Sequence, residues 1–257
     1  MALKTLFCAF KHNFIANMTA AMTLAYLISS KESAAALCGK VDAGAAFVHI
    51  DVLQSGHTDH TMDLAAFKGD ATILLFEGYG IALKPTVLVG GSDDGNIFSG
   101  GVGLAHCTPI YEGFMLTPSV GVMFTDLKTE IDLPVEFMGL EIGKIKNIRE
   151  KFRSISPYVG LDATYTFCKN WRVCLMVQYS WSRTHTTFKK KHVPFDLPEI
   201  DDKSKSHSQG FNYGAMLEYD LCKQWTVQVG AAYNLSLSKE KHGLRGYGFK
   251  LGAAYWF

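Results

Sequence analysis

The sequence predicts an all-β fold: a closed antiparallel transmembrane β-barrel of about ten strands, with eight as the alternative. Three observations predict it. Long segments alternate apolar residues with polar or small ones at a period of two, which places the two kinds on opposite faces of a strand. These segments are longer than the five or six residues usual for soluble strands, and they match the 9–11 or so that a tilted strand needs to cross a bilayer. Connections alternate between short turns and long polar stretches, as expected for short periplasmic turns and longer external loops.

The strongest element is the last. Tyr247, Phe249, Leu251, Ala253, Tyr255 and Phe257 occupy every second position, with Gly246, Gly248, Lys250, Gly252, Ala254 and Trp256 between them. Moving backward, Trp225 to Ser238 alternates in the same way, with Val227, Val229 and Tyr233 on one face and Gln228 and Asn234 on the other. Phe211, Tyr213, Ala215, Leu217 and Tyr219 oppose Asn212, Glu218 and Asp220. Trp171, Val173, Leu175, Val177, Tyr179 and Trp181 oppose Arg172, Cys174, Gln178 and Ser180. Val159, Leu161, Ala163, Tyr165 and Phe167 oppose Asp162 and Thr164. Phe114 to Phe124 makes a sixth strand, weakened by Pro118, which cannot donate to a ladder. Four further strands are expected near 97–106, 79–90, 69–77 and 41–53, or fewer if 69–90 is one strand and a loop. Short turns are expected at Cys168–Trp171, at Leu221–Trp225 and near Cys107–Gly113, and long polar loops at 54–68, 126–152 and 188–208. With an even strand count, both ends of the barrel lie on the periplasmic side.

Composition agrees with this and excludes other classes. Net charge is +1 with no clustered basic excess, so nucleic acid is not an expected partner. No run of 18 apolar residues follows the N-terminal segment, which excludes a bundle of membrane helices. Residues 1–36 read as a signal peptide: Lys4 and Lys11 are positive, Phe14 to Ile28 is mostly apolar, and Ser33-Ala34-Ala35-Ala36 supplies small residues for cleavage. The barrel domain is then 37–257. An internal repeat supports stepwise construction of the wall: Tyr165-Thr166-Phe167-Cys168-Lys169-Asn170-Trp171-Arg172-Val173 is echoed by Tyr219-Asp220-Leu221-Cys222-Lys223-Gln224-Trp225-Thr226-Val227. Its Tyr and Trp are suited to a membrane–water boundary.

The ending Tyr255-Trp256-Phe257, after its alternating strand, resembles the C-terminal signature of Gram-negative outer-membrane barrel proteins, in particular small barrels of the OmpX and OmpW kind. The resemblance implies residence in the bacterial outer membrane among its lipid and lipopolysaccharide. It also implies that Tyr255 and Phe257 are read by the barrel-assembly machinery.

Candidate chemistry is sparse. Cys38, Cys107, Cys168 and Cys222 are expected on the periplasmic side, with Cys174 inside a strand. The periplasm is oxidising, so these thiols either remain unpaired or bond other envelope proteins through disulfides. No pair has zinc spacing, and no cofactor motif occurs. His57, Asp59, His60 and Asp63 cluster in the first long stretch and read either as a solvated loop or as groups able to activate water or hold a metal. Lys189, Lys190 and Lys191 read as a solvated loop or as a contact for lipopolysaccharide phosphate or a sulfated glycan. Asp162, Arg172, Glu218, Asp220 and Lys250 are expected inside the barrel, where buried charges must pair. That argues for a salt-bridged plug over a wide pore. The expected role is therefore structural or surface-interacting and not enzymatic, with a narrow channel for ions or small solutes, or a barrel hydrolase, as alternatives.

Overall fold

The computed structural model describes residues 39–76, 80–137, 140–190 and 200–257. The signal-peptide expectation, its cleavage after Ala36, and Cys38 lie outside these residues.

Eleven strands follow in chain order: β1 (Gly39–Gln54), β2 (His57–Phe76), β3 (Ile81–Ser92), β4 (Gly95–His106), β5 (Thr108–Tyr111), β6 (Phe114–Phe137), β7 (Leu140–Cys168), β8 (Trp171–Lys190), β9 (Ile200–Asp220), β10 (Trp225–Ser238) and β11 (Gly243–Trp256). Each pairs antiparallel with its sequence neighbour, except that β4 bypasses β5 to pair with β6. β1 closes on β11, from Lys40 opposite Trp256 to Leu53 opposite Gly243. The wall is therefore a closed ring of ten strands with no free edge, and β5 is a short addition hydrogen-bonded to the start of β6. Closure leaves no open sheet edge around the ring, which is the condition for a sheet to stand in lipid.

The alternation falls as the sequence predicts. Leu251 is 69% exposed and Phe249 63% exposed on the outer face, while Lys250 between them is buried inside. Two rings of aromatic side chains bound the apolar outer band. On one side the Trp171 ring meets Tyr219 at 4.8 Å and Trp225 meets Tyr255 at 5.1 Å, both tilted. On the other, Tyr179 meets both Trp181 and Phe211 at 4.8 Å, and Tyr233 meets Tyr247 at 5.3 Å. From Trp171 to Trp181 the strand rises roughly 33 Å, and a tilt of about 45° reduces that to roughly 23 Å of bilayer.

The external connections differ from the sequence expectation. The stretches 57–68, 126–137 and 140–152, and 200–208 belong to strands. They are polar because they stand beyond the aromatic ring in water, yet paired hairpins still satisfy their backbones there. The β1–β2 connection is only Ser55-Gly56, with φ of 51° and 84°. Two residues at positive φ form the hairpin turn whose twist matches the strands.

Candidate functional site

The interior is the place where this chain concentrates polar side chains, and it is built in layers. Nearest the end that carries the short turns and both Gly39 and Phe257 lies an ionic network. Arg172 on β8 stands opposite Glu218 on β9. Its guanidinium donates to Glu218 at 3.1 Å, to Asp220 at 2.7 Å and to Thr226 at 3.3 Å. It also lies 4.7 Å over the ring of Trp256, whose Nε1 donates to Thr226 at 2.9 Å. Glu218, buried, further accepts from Gln228 at 3.0 Å and from Lys40. The Lys40–Glu218 pair joins β1 to β9, passing across β11 and β10 inside the lumen.

A second group lies alongside. Asp42 and Asp70 are directly opposed on β1 and β2, an arrangement that repels unless a cation intervenes. Lys250 from β11 supplies it, donating to Asp42 and, at 3.3 Å, to Asp70. Asp70 also accepts from Lys68 and Thr86 at 2.6 Å each. Asp162 on β7 pairs with Lys84 on β3, again reaching across two intervening strands. All five charges expected inside from the sequence are therefore placed inside. Their partners Lys40, Asp42, Lys68, Asp70 and Lys84 are not legible in the sequence, because the strands that carry them, β1 to β3, lack the alternating aromatic pattern that marks the later strands.

Above this layer Tyr158 covers the seam between β4 and β6. A Cβ placed on Gly103 would stand 2.3 Å from the Tyr158 hydroxyl oxygen, and one on Gly121 2.7 Å from its ring. Glycine is required at both positions so that the ring can lie on the backbone. Further out the lumen has two unlike walls. On one, Ile50, Val52, Met62, Leu64, Ile97 and Leu127 form a buried apolar cluster with Phe152 against it. On the other, β7 to β10 present hydroxyls and amides, joined by Ser156–Ser182 at 2.6 Å, Ser208–Ser236 at 3.0 Å and Asn212–Gln178 at 3.2 Å.

The His/Asp cluster lies on β2, not in a loop, and the alternation splits it. His60 turns inward, 3.3 Å from Asp59 and 4.0 Å from Glu150 of β7. Burial, with Asp59 nearby, pushes the Glu150 carboxyl up to about 7. Asp63 turns outward and lies 2.7 Å from Nδ1 of His49, whose Nε2 is 3.2 Å from Asp51. Arg245 donates to Asp51 at 2.8 Å. Both ring nitrogens of His49 are thus held by carboxylates, which leaves neither free to take a proton from water. Among the described residues no group of His, Cys, Asp and Glu is arranged to hold a metal ion.

The cysteines take two positions. Cys168 and Cys222 are exposed at the β7–β8 and β9–β10 turns, and Cys107 is half-buried just before β5. Cys174 faces the lumen opposite Met216. All four are free thiols in this structure. At the chain end, the backbones of Phe257 and Gly39 exchange two hydrogen bonds of 3.0 and 3.1 Å, so the terminal residue helps close the barrel.

The fold is similar to outer-membrane barrels of known structure. The outer-membrane protease OmpT of Escherichia coli superposes with a TM-score of 0.60 at 14% identity, over 89% of this chain and 99% of that one. The translocator domain of the autotransporter NalP from Neisseria meningitidis gives 0.47 at 8% identity, over 97% and 98%. The attachment invasion locus protein Ail of Yersinia pestis gives 0.38 at 13% identity, over 86% and 99%. No curated protein sequence matches the chain. The family model described as Pom, Protochlamydia outer membrane protein, matches residues 92–250, well over half the chain. This chain, a ten-stranded barrel of the bacterial outer membrane, belongs to the Protochlamydia outer membrane protein family.

Proposed function

We propose that this barrel serves a structural or surface-interaction role in the envelope and is neither an enzyme nor a general pore. The ionic network carries the reading. A ten-stranded barrel is only slightly wider than side chains can fill. The Lys40–Glu218 and Lys84–Asp162 pairs cut across the interior between non-adjacent strands, and Arg172 and Lys250 tie further acids into the same layer. Removing any one partner strands a buried charge, so the layer resists opening. Planar-bilayer recording of the refolded protein tests this. The reading expects no steady single-channel conductance, and a stable open conductance would overturn it. The hydroxyl and amide wall favours a second reading, a narrow path for ions or small solutes, since the lumenal Asn234 is exposed to water. The same recording separates the two.

The interaction side of the proposal rests on the cysteines at the periplasmic turns. Cys168 and Cys222 are exposed at neighbouring hairpins, in a compartment where disulfides form. They link the barrel to other envelope proteins. Membranes extracted with a thiol-blocking reagent and no reductant should contain high-mass species that collapse on reduction and are lost in Cys168→Ser/Cys222→Ser. A monomer under both conditions would remove the linkage. Tyr255 and Phe257 serve as the assembly signal for the barrel-assembly machinery, a role suited to a residue that seals β11 against β1.

A further inference from the structure

The outer faces of β6 to β9 continue their alternation past the aromatic ring, and the residue type changes there from apolar to cationic. Arg183 follows Trp181 by two positions on β8 and is opposed by Ile155 and His207. His185 comes next, flanked by Arg153 and Lys205. Lys151 pairs with Lys128 on one side and Thr187 on the other, and Thr187 pairs with Lys203. Among the described residues this face carries, with Arg149, seven Lys and Arg side chains against two carboxylates, Asp126 and Glu130. Asp126 is held by both Lys151 and Arg153 at 3.1 Å, and Glu130 by Arg149 at 3.3 Å. Both acids are therefore held by cations of the belt itself.

The height of this belt decides what it meets. Two residues of strand rise roughly 6.6 Å, so at a tilt of about 45° Arg183 stands roughly 5 Å above the ring of Trp181 and His185 roughly 10 Å above it. The headgroup layer outside the hydrocarbon is about 5–8 Å deep. The same face is hollowed into a recess of about 980 Å³, lined by Phe124, Lys128, Arg153, Arg183, His185 and Lys203 together with the acids Asp93, Glu130 and Glu150. Phe124 and Ile155 form its apolar floor on the membrane side.

We propose that this recess binds the phosphorylated headgroup of an outer-leaflet glycolipid of the lipid A type, with its acyl chains lying on the apolar wall of β6 to β9 below. Bidentate guanidinium donors and clustered lysines match phosphate, Arg183 stands at phosphate height with the rest of the belt rising above it, and the apolar band directly beneath continues onto lipid. A soluble anion would use the charges but leave that continuity without purpose.

The test titrates the refolded full chain in neutral detergent with bis-phosphorylated lipid A and counts bound lipid by native mass spectrometry. The proposal expects retained lipid A, at least tenfold weaker retention of the same glycolipid stripped of both phosphates, and little displacement by millimolar inorganic phosphate. Arg183→Glu/Lys205→Glu should lose at least tenfold in affinity, whereas Lys239→Glu in the β10–β11 connection should not. Equal binding of the phosphate-free lipid, full displacement by inorganic phosphate, or preferential retention of a soluble sulfated oligosaccharide would each overturn it. The comparison of the two lipids needs only the unaltered protein, so a poorly folding variant does not remove the test.

Discussion

Lys250 shows how single residues decide the interior. It stands between two acids that the β1–β2 register forces to face each other, Asp42 and Asp70. Lys250→Met should cost roughly 3–5 kcal/mol, the usual penalty for stranding buried charge. Adding Asp42→Asn to that variant should restore part of the loss, and urea unfolding in detergent reads both. Additive losses would mean that the lysine acts by packing alone. Glu150 gives a pH signature at the outer rim, well beyond the aromatic ring. Its carboxyl titrates at about 7, against 4.5 for the free group. The neutral form is thus favoured by folding, so the contribution is complete below about pH 4.5, falls as pH rises, and is gone above about 7. Stability of the outer hairpins, followed by amide exchange, should decline across that window by no more than about 3 kcal/mol. In Glu150→Gln the decline should vanish, and a slope unchanged in that variant would place the titration elsewhere.

At the scale of elements, the period of two made β6 to β11 legible, because aromatic and β-branched residues alternate there with small or polar ones. Arg172 could be assigned to the lumen from Trp171 and Val173 alone. The same rule was lost wherever both faces become polar. Residues 126–152 and 188–208 read as loops, although Arg183, His185 and Thr187 keep the outward parity of Trp181 and place the basic belt. Hydrophobic contrast, not alternation as such, was the signal, and water removes the contrast. The apolar cluster inside the outer half was hidden for another reason: Ile50 and Val52 face inward at the end of a strand expected to be polar inside, and Met62 and Leu64 lie in the stretch 54–68 that reads as a loop. For the closing strand, deletion of Phe257 removes the backbone pair to Gly39 and the terminal aromatic residue together. It should reduce the yield of membrane-inserted, heat-modifiable barrel several-fold, while His207→Ala, beyond the aromatic ring, should leave it unchanged. Equal yields would separate β11 closure from assembly.

The whole molecule is a ring of ten strands that turns an apolar face to lipid and an ionic layer to the lumen, and carries a basic rim beyond the aromatic ring. Each of these assignments depends on one register, carried along each strand from the periplasmic turns to beyond the membrane. The measurement that tests it most directly is spin-label accessibility along β8. Single cysteines would be placed from 173 to 187 in a chain whose native cysteines are replaced by serine, reconstituted in bilayers. The account predicts oxygen collision maxima at 173, 175, 177 and 179, and low values at 174, 176 and 178. Access to a water-soluble relaxation agent should then take over at 183, 185 and 187. A smooth profile without alternation, or aqueous access on the odd positions below Trp181, would contradict it.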